Sequence, residues 1–546
     1  MAQLLALSGF LAVLLRAAIL CFQTVLIGGL FFFIFVAREE QSRGEGLLRS
    51  GWKLIRWSAL GVALSQISFL ITNSVTLTYS TGIPLGQVFS ANFFWAGLVA
   101  TVSGFAVALW PFGLRQSVNP VVLFPAALVL AASVMTSHSA SRMEDRTLLV
   151  ALTALHYLAA ATWIGGLLYL LLATKRITDQ DAKTRIMQRF SRLAQVSVAV
   201  LFLAGFGMAA VLVGSWDAMY GTAYGVMLSA KIAMFAALLL LGAANFYMVR
   251  RLPGDSGSGA ASLARFGEAE IGIGLAVILT AASMTSQPPG VDLTEDRLTL
   301  QEIAARYSPR MPRFSSPPLN EISESTEQLI KRAKAEGKPV PTSFVPGQWD
   351  IDFNKWADKA WSEYNHNCAG FVVFLLGILA LLSRSRYFAW AKIWPLAFLL
   401  LAVFLFFRAD PENWPLGPNG FWESFRQTDV LQHRAAVLLI IVFAVFQYRV
   451  EMKWVKSITA ALVFPAVCML GGMVLLTHTH ALSNVKEELL AELSHTPIAV
   501  LAVYAGWSRW LELRLPNDNG ARKYVAWVWP ACFILIGLLL MDYHEM

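Results

Sequence analysis

The sequence predicts an all-α fold: a polytopic membrane helical bundle with about fourteen transmembrane helices. Three observations carry that prediction. The 546 residues are 56% apolar and only 14% charged, with mean hydropathy +0.56, whereas a soluble domain is about a quarter charged. The apolar residues gather in runs of roughly 20, the length that crosses a hydrocarbon core of about 30 Å. The basic residues fall between those runs and favour alternate loops. A soluble enzyme, a nucleic-acid-binding protein and a disordered tail are excluded, because too few charges remain to cover soluble surfaces.

The spans are expected near 11–36, 55–75, 87–110, 119–137, 148–173, 193–214, 227–249, 267–286, 367–383, 391–407, 431–448, 457–477, 496–512 and 524–542. Each is read as a helix, since a lone strand leaves its backbone unsatisfied in lipid. The first run continues to Val36 and then meets Ala-Arg-Glu-Glu, so it reads as a span rather than a cleaved signal. Pairs such as Ile164-Gly165-Gly166 and Leu470-Gly471-Gly472 suit close helix packing. Three blocks follow: an eight-span block 1–287, a long loop 288–365 with nine prolines, and a six-span block 366–546. Within the loop, Ser325 and Gln328 are spaced as a capping box for a helix near 325–336. The stretch 349–364, with Phe353, Trp356, Ala360 and Tyr364 on one face, is expected to lie on the outer leaflet as an interfacial helix. The segment 483–494 is expected to be a short amphipathic helix. A four-span parallel repeat is suggested by Ala-Ala-Ser-Val-Met135-Thr-Ser-His138 beside Ala-Ala-Ser-Met284-Thr-Ser-Gln287, and by Gly28-Gly29 beside Gly165-Gly166.

Orientation follows from Lys and Arg. One set of alternate loops holds 25 of the 43 basic residues. The other set holds 8 outside the long loop, and long loops count little. The first set is therefore expected in the cytoplasm, with both termini and the long loop outside. The formal charge of +8 is then mostly a record of membrane orientation.

On that topology all eight histidines lie at or near the outer side: His138, His156, His366, His433, His478, His480, His495 and His544. His138 follows the fourth span, three residues after Met135. His156 is about two turns inside the fifth, where an ionisable group is costly and points to function. His433, His480 and His495 come from three consecutive spans, and His366 from a fourth. His544 reads as a solvated tail residue, and His478 as a helix-end cap. Met284, Met143, Met473 and Cys368 lie on the same side or near it. Imidazole, thioether and thiol together favour copper over the oxygen-seeking magnesium and calcium. One expected metal set is Met135, His138, His156 and Met284. A second is His433, His480 and His495, with His366 or Cys368. The other reading of the second set (His366, His433, His480, His495) is haem b ligation, His433 pairing with His480 or His495. There is no phosphate-binding loop and no CxxCH motif, and no catalytic residue is assigned.

The stretch 148–287 resembles the copper-resistance D (CopD) family. The resemblance rests on Leu155-His156, Trp163 with Gly165-Gly166, Arg189-Phe190-Ser191-Arg192-Leu193, the loop Gly221 to Gly225, Lys231, Ala244-Asn245, Glu270 and Pro288-Pro289. Ala223 stands where a proline is usual. His138 is similar to that family's outer histidine. The resemblance covers about 140 residues well and does not reach 366–546. It implies a bacterial inner-membrane protein that takes up or resists copper, alongside a small periplasmic copper-binding partner of the CopC type. A transporter is thus expected rather than an enzyme. The alternatives are a haem or quinone oxidoreductase, or a factor that delivers copper to a partner enzyme.

Overall fold

The computed structural model describes residues 2–39, 45–110, 120–251, 258–295, 297–318, 321–322, 356–411, 413–425, 428–477 and 486–545. Among these residues the regular structure is helical, with no strand. Eleven helices are long and apolar enough to cross a membrane. Two expected spans are shorter apolar helices, Asn92–Ala108 and Leu123–Met135. The expected span 496–512 lies inside one longer helix, Lys486–Arg514, whose Glu492, Arg509 and Glu512 interrupt its apolar character. The protein is therefore a multi-pass helical membrane protein.

The chain divides into two compact units, residues 1–297 with 476–479 and 514–519, and residues 298–475 with 480–513 and 520–546. In the first unit the helices are α1 (Ala2–Phe31), α2 (Glu45–Thr81), α3 (Asn92–Ala108), α4 (Leu123–Met135), α5 (Arg146–Ala160), α6 (Gly166–Arg176), α7 (Gln180–Leu212), α8 (Ala223–Arg251) and α9 (Ser258–Met284). A π-helical turn, Ala161–Gly165, joins α5 to α6 without a break. Such turns recur at functional positions in helices.

Helix α1 is the hub of this unit and touches α2, α4, α5, the π turn, α6 and α9. Its closest approach is backbone to backbone. A Cβ on Gly28 would lie 2.4 Å from the Ala161 carbonyl oxygen, and one on Gly165 would lie 2.0 Å from the Thr24 carbonyl oxygen. Only glycine fits at either place. By contrast, Val196, Phe202, Leu203 and Phe206 of α7 are exposed. Exposed apolar side chains in a row are what a lipid-facing helix requires.

In the second unit the helices are α10 (Leu300–Arg306), α11 (Trp356–Leu382), α12 (Ala397–Arg408), α13 (Thr428–Glu451), α14 (Val463–Thr477), α15 (Lys486–Arg514) and α16 (Ala521–Met541). Helices α11 and α16 pack through glycine: a Cβ on Gly537 would meet the Phe374 backbone nitrogen at 2.4 Å. Trp394, Phe464 and Trp529 fill the core with Leu376 and Ala505. Glu512 accepts from Arg384 at 2.9 and 3.0 Å, from Arg509 at 2.8 Å and from Trp529 Nε1 at 2.9 Å.

Two expectations are corrected here. The residues from Trp356 to Tyr364 do not form a separate interfacial helix; they are the first turns of α11. No breaker separates Tyr364 from the apolar run that follows, and a helix once nucleated propagates into such a run. The amphipathic segment near 483–494 is likewise the start of α15 from Lys486 onward. Residues 349–355, 483–485 and the helix expected near 325–336 lie outside the described residues.

Adding a methyl group should separate packed from open glycines. Gly165→Ala and Gly537→Ala should each destabilise by about 1–3 kcal/mol, the usual penalty for overpacking. Gly471→Ala, with nothing within 4 Å of the new methyl, should leave the thermal midpoint in detergent unchanged. Equal midpoints for all three would refute the backbone contacts.

Candidate functional site

At one end of the first unit, α4 stops at Met135 and a single turn, His138–Ser141, follows. Ser137, in extended conformation, redirects the chain there and places the His138 ring against the end of α9. His138 Nε2 lies 3.3 Å from the Met284 carbonyl oxygen. A carbonyl only accepts, so Nε2 carries the proton and Nδ1 keeps the lone pair. The Tyr224 ring stands edge-on to His138, with centroids 6.4 Å apart. Burial pushes the His138 imidazole below its usual titration range, opposed by the Met284 carbonyl; Arg16 adds to the lowering and Asp292 counters it. The ring is therefore held neutral, the form that binds metals.

Polar residues of α1 fix this end. The buried Arg16 donates to Thr136 Oγ1 at 2.8 Å and to the Ser133 carbonyl at 3.2 Å. Two turns on, Gln23 accepts from the Ser133 hydroxyl. Beyond α9, Arg142 grips Asp292 at 2.8 and 3.0 Å.

Among the first expected set, the structure joins His138 to Met284, though through the methionine's carbonyl. The Met284 side chain turns inward and packs with Leu149, Leu212, Tyr224 and Met227, with Met208 and Met219 against them. The Met135 side chain is 43% exposed. His156 lies deeper on α5, against Gly205 of α7, where an added Cβ would be 3.3 Å from its Cε1. His156 Nδ1 is buried with no hydrogen-bond partner. Lys231 of α8 is within electrostatic range of it. The methionines at positions 208, 219 and 227 carry no sequence signal, since they come from separate elements with no shared spacing.

A second polar point lies in the same unit. Trp163, in the π turn, donates from Nε1 to Glu270 Oε2 at 3.2 Å, and Asn245 Nδ2 donates to the other carboxylate oxygen. Glu270 is 2% exposed, so this is a carboxylate inside the bundle rather than a span-end residue. It borders a cavity of about 490 Å³ lined chiefly by apolar side chains, including Leu170, Phe190, Phe235 and Phe246.

In the second unit His366 and His495 do come together, their ring centroids 6.1 Å apart. Tyr543 stacks on His366 at 3.9 Å, and the Arg306 guanidinium lies 4.3 Å from the Tyr543 ring centre. His366 Nδ1 donates to the Ser362 carbonyl at 2.8 Å, which leaves Nε2 as the ligand atom. His433 instead pairs with Asp410, Nδ1 to Oδ1 at 2.7 Å, beside the buried Arg434, which donates to the Trp414 carbonyl at 2.7 Å. Cys368 is partly buried one turn from Tyr364. His480 and His478 lie outside the described residues. His544 is not a solvated tail residue. It is 4% exposed, with Nδ1 bonded to the Asp542 carbonyl at 3.0 Å, because the chain end folds back over the bundle of its own unit. Among the described residues no three His, Cys, Asp or Glu side chains converge in a geometry that could hold a metal ion.

Residues 184–284, from α7 to the end of α9, match the family described as Copper resistance protein D. The chain is also 27% identical over 295 residues to the copper transport protein CutJ of Bacillus subtilis (strain 168), covering 50% of this chain and 52% of that relative. The chain thus aligns with about half the length of that protein. No solved structure matches the chain. The matched stretch contains Glu270, Asn245, Lys231 and the inward-facing Met208, Met227 and Met284; His138, His156 and Trp163 precede it.

The Glu270 contacts are open to test. Glu270→Leu should lower stability by about 1–3 kcal/mol, because it strands the Trp163 and Asn245 donors in an apolar site. Glu270→Gln keeps an acceptor and should lose less. Thermal midpoints in detergent measure both, and a Leu variant as stable as the parent would contradict the bonding described.

Proposed function

We propose that this is a bacterial inner-membrane protein that takes copper on its periplasmic face and carries it across the membrane. The observation that carries this reading is His138, held neutral over the end of α9 and the methionines behind it, at the edge of the stretch that matches the CopD family. The similarity to a copper transport protein supports copper as cargo. The orientation is read from the basic residues: 25 in the loops assigned to the cytoplasm against 8 opposite, the long loop aside. On that orientation His138 and both chain termini are periplasmic.

The first set, Met135, His138, His156 and Met284, is proposed as the entry site. Neutral imidazole and thioether are soft to borderline ligands, so copper can pass between them by exchange. A periplasmic carrier of the CopC type is the proposed donor, and the exposed Met135 is the first side chain it would meet. A second copper site is proposed at His366 and His495, whose rings lie 6.1 Å apart, with His366 Nε2 as one ligand atom. Among the described residues His433 engages Asp410 rather than another imidazole, so the haem reading gains no support from them. The contacts Gly28 with Gly165, and His138 with Met284, each join the paired motifs of the suggested repeat. They support an internal duplication, with the two copies facing each other.

Copper binding tests the reading. The purified full chain in detergent should bind copper, and His138→Ala and His156→Ala should each weaken binding about tenfold or more, as loss of a ligand or its support does. Proteoliposomes should accumulate copper only when the chain is present. Absence of both binding and accumulation in the parent overturns the proposal. A periplasmic reporter fused at residue 330 should be active, and a cytoplasmic one silent.

A further inference from the structure

We infer that Met208, Met227 and Met284 form a thioether station for a single Cu(I) ion within the stretch that matches the CopD family, between His138 and His156. The inference rests on the copper reading above and adds to it an oxidation state and three residues.

The three methionines come from α7, α8 and α9, yet they pack into one cluster at the end of the bundle that carries His138. Met227 and Met284 are buried members of the cluster, and the partly buried Met208 packs against that cluster. Methionine is common filler in apolar cores, so packing alone decides nothing. The surrounding polar atoms decide it. On one side, the His138 ring rests on the Met284 carbonyl. Beside the cluster, the Thr153 hydroxyl points at Met208 Sδ from 3.7 Å. On the other side lies His156 Nδ1, buried and without a partner. A buried imidazole nitrogen left unpaired is uncommon and calls for an explanation. A ligand that is not part of the chain supplies one.

The order along the helices is fixed by sequence spacing. Leu149, Thr153 and His156 lie on one face of α5, at i, i+4 and i+7. Leu149 belongs to the cluster, Thr153 touches Met208, and His156 is the next turn inward. On α7, Gly205, which faces His156, is three residues from Met208. On α8, Lys231, which His156 senses, is four residues from Met227. All three helices therefore place His156 about one turn, roughly 5 Å, deeper than the methionines. Thioethers are neutral, so an ion held among them keeps its whole charge in an apolar surround. A singly charged soft ion tolerates this better than a doubly charged one, and so the site selects Cu(I) over Cu(II) and zinc. No electron transfer is involved; Cu(I) arrives and leaves as Cu(I).

The test uses the full-length chain in detergent without oxygen. The parent and the Met208→Leu/Met227→Leu/Met284→Leu variant are titrated with Cu(I) against a chromophoric Cu(I) chelator, and with Ag(I) as a redox-inert mimic. Leucine nearly conserves methionine's volume, so the core should persist; the thermal midpoint checks this. The expected result is binding of both ions by the parent, weakened about tenfold or more in the triple variant, with no competition from Cu(II) at equal concentration. In selenomethionine-labelled parent loaded with Cu(I), selenium-edge absorption should show a selenium–copper neighbour that the variant lacks. A folded triple variant with parental Cu(I) affinity overturns the inference, as does a loaded parent without that neighbour, which remains decisive if the variant fails to fold. If copper is then still lost on His138→Ala and His156→Ala, the copper reading stands without the methionine station. A parent that binds neither Cu(I) nor Ag(I) overturns both.

Discussion

The arrangement of the first unit depends on one backbone contact. Gly28 on α1 and Gly165 in the π turn approach so closely that neither position accepts a side chain. In lipid no hydrophobic force draws helices together, so association relies on van der Waals fit and on polar contacts. The contact supplies the first directly. It also fixes the second, because it sets the level of everything else on α1. Arg16 and Gln23 then reach the end of α4, and Tyr169 of α6 reaches the Val25 carbonyl at 3.1 Å. The π turn that brings Gly165 to α1 carries Trp163, which is thereby aimed at Glu270 on α9. A close approach between two glycines thus orders the polar groups of three other elements.

The ionisable groups inside the bundles mostly follow a single rule: each is met by donors or acceptors from a different helix. Glu270 has Trp163 and Asn245, Arg16 has Thr136 and Ser133, and Glu512 has Arg384 and Trp529. This is the expected solution where water cannot pair a buried charge. Two imidazole nitrogens break the rule, His544 Nε2 and His156 Nδ1, and the latter does so one turn from a cluster that holds three methionines. The exception at His156 and the cluster belong to the same three-helix interface, so a shared explanation is simpler than two separate ones.

The sequence makes the helices legible because their signal is additive: about 20 apolar residues outweigh any single substitution. Gly165 is legible for a similar reason, since paired small residues within an apolar run have few other uses. Boundaries are less so. The apolar run after Tyr364 extends the helix backward to Trp356, and the aromatic face of that segment looks interfacial when read alone. Convergence between distant residues is not legible at all. His544 looks like a tail residue until the fold buries it, and Met208, Met227 and Met284 share no spacing. His366 and His495 could be suspected from their positions near the same side, but Tyr543, which joins them, gave no sign of doing so.

The two units offer copper different surroundings, and electrostatics ranks them. Around His366 and His495 stands the Arg306 guanidinium, 4.3 Å from the Tyr543 ring that both imidazoles flank. An arginine remains charged at any working pH, so a metal cation entering there meets a fixed positive charge in a buried site. The face of Tyr543 disperses part of that charge by a cation–π contact, and no more. Among the described residues no arginine belongs to the methionine cluster; Lys231 lies one turn deeper on α8, in electrostatic range of His156, and Arg16 and Arg142 are engaged with Thr136, Ser133 and Asp292. A singly charged ion at the methionine cluster therefore has no arginine among the groups that line it, whereas Arg306 stands beside the imidazole pair of the second unit, and the tighter of the two proposed sites is placed at the cluster. The imidazole pair of the second unit suits a weaker, more readily exchanged ion, or a purely structural stack in which Arg306 already plays the cation's part.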